Sequence, residues 1–112
     1  MRARNIKPAF FINPDLIELP PLTRLLFAGL WCAADREGRL LDRPKYLRVQ
    51  IFPGDDLDVD AALDELAHAG FIHRYDVEGK RYIHVRNFLK HQKPHKNEQA
   101  SRIPPYEGEV IS

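Results

Sequence analysis

DVDAALDELAHAGFIHRYDVEGKRYIHVR, residues 58–86, is the stretch whose reading decides the fold. Asp58 suits a helix N-cap, and Asp60 adds negative charge to the first turn, where the helix end is positive. Val59, Ala62, Leu63, Leu66 and Ala69 recur at helical spacing and define one buried face. Gly70 stops the helix. Phe71–Val77 and Lys80–Arg86 then alternate as two strands, joined by a tight turn at Glu78-Gly79. Ile83 and Val85 point to one face of this hairpin; Tyr82, His84 and Arg86 point to the other.

Upstream, residues 1–12 turn from basic to apolar, and Phe10, Phe11 and Ile12 read as an anchor pressed on the core. Asn13-Pro14-Asp15 carries the signals of a short helix start, closed by Pro20-Pro21. The next helix runs from Pro21 to about Ala34. Its stripe is Leu22, Leu25, Leu26, Gly29, Leu30 and Ala33, widened by Phe27 and Trp31. Residues 35–39 form a turn, with Gly38 free to take positive φ. Leu40-Leu41 reads as a very short strand. Asp42 is the expected cap of a helix from about Arg43 to Ile51, which buries Leu47 and Ile51, with Val49 a further candidate. Phe52 precedes Pro53 and is pushed off helical geometry, so that helix ends there.

Helix, tiny strand, helix, helix, strand, turn, strand is the order of a winged helix-turn-helix, a mainly α domain with a small β-hairpin (α+β). The expected organisation is an N-terminal arm over residues 1–12, a winged-helix domain over residues 13–89, and a basic, proline-containing tail or linker over residues 90–112.

Composition narrows the function classes. The chain has 112 residues, 44% of them hydrophobic, enough for one core. Cys32 is the sole cysteine, which excludes an internal disulfide and fits a reducing cytoplasm. No apolar run approaches the ~18 residues of a membrane span, and MRARNIK is not followed by an apolar stretch, so no secretory leader is expected. The net charge of +1 conceals a banded distribution. Residues 36–54 carry net +3, residues 55–70 net −6, and residues 71–99 net +4. Bands of this kind steer partners more than the total does. No phosphate-binding loop, nucleophile elbow or zinc-protease motif occurs, so neither an enzyme nor a cofactor is expected. His91 and His95 stand four apart, but Pro94 breaks any helix between them and no further ligands complete a metal set.

Two segments, LPPLTRLLFAGLWCAADREGRLLDRPKYLRVQIFP and LDELAHAGFIHRYDVEGKRYIHVRNFLKHQKPHKNE, resemble the N-terminal winged-helix domain of phage and prophage replication-initiation proteins, the replisome organisers or DnaD-like replication proteins. The likeness spans roughly residues 3–104, and its most specific parts are Leu25–Phe27, Trp31–Arg39 and Asn87–Lys96. It implies a DNA-binding module acting in replication initiation in the cytoplasm of a bacterial host cell, with DNA, replisome proteins or a second copy as partners.

Three basic sets are candidates for nucleic-acid contact. The first is Arg39, Arg43, Lys45 and Arg48. The second is Arg74, Lys80, Arg81 and Arg86 on the hairpin, with Tyr82 interleaved. The third is Lys90, Lys93 and Lys96 in the tail. Bases with an aromatic among them suit phosphate contact plus stacking on an exposed base; the same alternation also serves ordinary cross-strand packing. The helix of residues 58–70 shows Asp60, Asp64, Glu65 and His68 outward. Carboxylates there repel phosphates, so this helix is not expected to enter a major groove. Its outer face is either simply solvated or a docking surface for a basic partner. Three functions follow: DNA binding by wing and tail, protein docking through the acidic helix, or transcription regulation on the same fold.

Overall fold

The computed structural model describes residues 1–107. Their elements run α1 (Ala9–Ile12), α2 (Pro21–Ala33), β1 (Arg39–Leu41), α3 (Pro44–Ile51), α4 (Val59–His68), β2 (Ile72–Val77), β3 (Lys80–Val85) and α5 (Phe88–His91). The strands form one antiparallel sheet in the order β1-β3-β2. The domain is α+β, and α2, α3 and α4 share one core with Leu40, Ile72, Ile83 and Val85 of the small sheet.

The local signals for α4 and the hairpin act as read. The Asp58 side chain accepts a hydrogen bond from the Ala61 amide at 3.1 Å. Val59, Ala62, Leu63 and Leu66 are buried, and α4 packs against α2, α3 and β2. Each of the three larger side chains contributes about 1.5–3 kcal/mol of burial. Gly70 ends the helix at φ 87°. Glu78 and Gly79 both take positive φ, 54° and 81°, the geometry that matches the twist of a two-residue hairpin. Val77 then faces Lys80, and Ile72 faces Val85.

Other expectations shift. The α2 stripe is rotated: Thr23, Leu26, Phe27, Leu30 and Trp31 face inward, while Leu25 is 53% exposed. Buried Thr23 is satisfied because its hydroxyl donates to Glu65 on α4 at 2.9 Å, which turns that face of α2 toward α4. Gly29 abuts Ile51 so closely that a Cβ would sit 2.6 Å from its Cγ2, bringing α3 onto α2. The short helix expected from Asn13 is a set of turns instead. Asn13 still caps, accepting from the amides of Asp15 and Leu16, but Pro20-Pro21 leaves no room for further turns. A single helical turn forms earlier, at α1. There Phe10 packs edge-on to Trp31 at 5.3 Å, whereas Phe11 and Ile12 are exposed rather than anchored. Asp42 does not cap α3; Arg43 holds that position without a side-chain bond. On α3, Leu47 is buried and Val49 exposed.

The two faces of β3 differ less than alternation implies. Ile83 and Val85 are buried, and so are Tyr82 and His84. The end of the segment 92–107, which holds neither helix nor strand, lies against this second face. Tyr106 stacks on His73 at 4.0 Å between ring centres, and Tyr75 donates its hydroxyl to Pro104 O at 2.8 Å.

Candidate functional site

Of the hairpin bases, Arg74 is taken by the fold itself. Its side chain is 10% exposed and that of Asp42 is 0% exposed. Nε and Nη2 donate to the two Asp42 oxygens at 2.7 and 2.8 Å, the bidentate geometry that makes Arg–carboxylate pairs strong. The same guanidinium reaches Asp60 at 2.7 Å and Asp64 at 2.8 Å. The hydrogen bond from Arg74, then its charge, holds the Asp60 carboxyl below its ordinary value. The hydrogen bonds it donates to Asp42 push the Arg74 guanidinium further up, against the opposing effect of burial. Arg74 therefore leaves the set available to phosphates. Tyr82 leaves it too: it is 8% exposed and packs beside its cross-strand partner Tyr75 at 5.6 Å.

The remaining bases divide by place. Arg43, Lys45 and Arg48 from α3 and its N-terminal edge meet Arg81 of β3 around an open cleft of about 890 Å³. Arg48 donates to Asp55 O at 3.1 Å, and Arg81 keeps a 3.7 Å contact with Asp42, so both are directed rather than loose. Tyr46 also lines the cleft. It is 55% exposed, and the Arg43 guanidinium lies 5.9 Å from its ring centre. Two carboxylates border the cleft, Asp58 and Asp60. The first caps α4 and the second shares Arg74 with Asp42 and Asp64; four cations face these two anions.

Lys80 is exposed at the turn end of the hairpin, next to Arg81, but does not line the cleft. Arg86 is exposed beyond the far end of β3. It lies five positions on from Arg81, about 17 Å along an extended strand. Arg86 donates instead to Gly70 O at 2.8 Å. Arg39 donates to Ile103 O at 3.2 Å and belongs to the contact between β1 and the tail. Lys90 and Lys93 lie beside the N-terminal arm: Lys7 donates to Lys90 O, and Lys93 shares a surface hollow with Arg2 and Arg4. Lys96 is exposed on the same segment. The three basic sets thus do not form one surface.

The acidic face of α4 is partly answered from within. Asp60 and Asp64 share Arg74, and Glu65 accepts from Thr23. His68 is exposed in the last turn of α4.

The arm and the tail form a clasp that no local pattern shows. Arg4 donates to both Glu98 oxygens, at 3.0 and 2.7 Å, with both side chains nearly buried. That hydrogen bonding holds the Glu98 carboxyl below its ordinary value. The Gln92 side chain bonds both backbone groups of Asn5. Arg36 donates to Glu98 O at 2.9 Å, and Ser101 donates to Asp35. Sequence reading missed this clasp because its members lie up to 94 residues apart. It also missed Tyr46, for which a signal existed: an aromatic between Lys45 and Arg48 on a short, polar helix.

Among the described residues no cluster of three or more His, Cys, Asp or Glu is arranged to hold a metal ion, and no helix is long and apolar enough to cross a membrane. Comparison with family models, with curated proteins and with solved structures returned no match.

Proposed function

We propose that this chain is a winged-helix module that binds DNA through the cleft between α3 and β3, with α4 in a packing role. The observation that carries the reading is the convergence of Arg43, Lys45, Arg48 and Arg81 around exposed Tyr46. The element order and the β1-β3-β2 sheet support the fold assignment. Cations at this spacing suit a phosphate backbone, and the tyrosine offers a ring to a base. Such contacts position a protein on DNA and carry little sequence information. Sequence-independent binding suits a replication-initiation role, the role the resemblance to phage replisome organisers implies, better than operator recognition by a transcription regulator.

The test is a salt titration of binding to duplex and single-stranded DNA. Each phosphate neutralised on a duplex contributes about −0.9 to the slope of log affinity against log salt. The four cleft cations set an expected duplex slope between about −2 and −4. No binding to either form at about 50 mM salt would end the proposal.

A further inference from the structure

A second cavity lies on a different part of the molecule, between the N-terminal arm, α2 and the start of α5. It encloses about 180 Å³, smaller than the ~300–1,000 Å³ of pockets for drug-sized ligands, and therefore suits a fragment the size of one flat ring system. Phe10, Phe27, Trp31 and Phe71 line it. Their rings meet at 5.1–5.3 Å in edge-to-face or tilted arrangements, so the hollow has an aromatic wall against which a flat base can pack.

The ionisable side chains around this apolar hollow are all basic in type. Lys7, Arg86 and His91 line it, and no Asp or Glu does so among the described residues. Lys7 and Arg86 are held in place by bonds to the carbonyls of Lys90 and Gly70. Asn5 and Asn87 also line it, and a carboxamide offers a donor and an acceptor side by side, the pattern that reads a base edge.

We infer that this cavity is a binding site for a nucleobase bearing a phosphate: the base enters among the aromatic rings and the phosphate stays at the Lys7–Arg86 rim. The base comes either from a free mononucleotide or from an unpaired position in a single strand. The site is separate from the α3 cleft, since no residue lines both, and it stands whether or not the α3 reading holds.

Trp31 lines the cavity and is the sole tryptophan of the chain, so its fluorescence reports on occupancy. The full chain is titrated with adenosine monophosphate, with a short single-stranded oligonucleotide and with inorganic phosphate. A saturable change with the mononucleotide supports the site and a free-nucleotide source. A saturable change with the oligonucleotide alone supports the site and an unpaired base in a strand. No saturable change with either, or an equal change with inorganic phosphate, overturns the proposal. Lys7→Glu, on the exposed arm, is expected to weaken the response about fivefold; an unaltered response in that variant also overturns it. Arg43→Glu with Lys45→Glu is expected to leave a mononucleotide response intact while weakening duplex binding, so the two readings fail separately.

Discussion

The Arg74 guanidinium and the Asp42 carboxylate face one another through two parallel hydrogen bonds, 2.7 and 2.8 Å long, with the carboxylate fully shielded from solvent. They stand 32 residues apart and tie β2 to the segment between β1 and α3. Through Asp60 and Asp64 the same arginine holds α4. One side chain thus links the hairpin, the segment leading into α3, and α4.

Arg74→Met is expected to destabilise the domain by about 3–5 kcal/mol, because it strands the Asp42 charge without its main partner. Urea denaturation measures this. The double variant with Asp42→Asn should recover part of the loss, since a removed pair costs less than a broken one. A single variant within 1 kcal/mol of wild type would show that the node contributes little.

Binding should separate the basic sets. Arg81→Glu or Arg43→Glu is expected to make the duplex salt slope shallower by about one unit each. Lys93→Glu and Lys96→Glu, remote from the cleft, should change it less. Equal effects from tail and cleft would place the contact elsewhere.

Tyr46→Ala tests stacking apart from charge. If the ring takes a base, affinity for single strands should fall by about 1–3 kcal/mol, with the salt slope unchanged. The side chain is exposed, so stability should move little.

The clasp predicts an acid response. Glu98 is held below its ordinary value by Arg4, so the folded state binds its proton less readily than the unfolded chain does. The stability it contributes is full above the ordinary glutamate value of about 4.3 and is lost as pH falls through the depressed value. Glu98→Gln should cost about 2–4 kcal/mol at neutral pH and flatten stability against pH below about 4.3. Denaturant midpoints across that window, compared between the two proteins, measure both effects.

Two glycines should respond differently to alanine. Gly79 has positive φ but open space around a Cβ, so Gly79→Ala should cost only the left-handed strain, about 1–2 kcal/mol. Gly38 has φ 81°, and a Cβ there would meet Phe88 Cβ at 2.6 Å, so its cost should be larger. Thermal unfolding ranks the pair.

Much of the architecture was legible residue by residue. Asp58, Gly70 and the Glu78-Gly79 turn act through neighbours within a few positions, so capping, termination and hairpin register could be read directly. The spacing of Val59, Ala62, Leu63 and Leu66 is local in the same sense. The α2 stripe was misread where a polar residue decided it. Thr23 is buried because Glu65, 42 residues away, completes its hydrogen bond, while hydropathy alone points to Leu22 and Leu25.

The hairpin stretch that announced the fold carried its backbone in its own sequence, since caps, turns and alternation are short-range. The fate of its charges was decided only by tertiary structure. Arg74 looked like a wing base and became the internal counter-ion of Asp42, Asp60 and Asp64. Arg81, seven residues on and close to the turn, stayed exposed beside α3. Tyr82 looked like a stacking ring and was covered with its strand. An ionised side chain adopts whatever partner the packed chain brings within about 3 Å, and that distance is set by the whole fold.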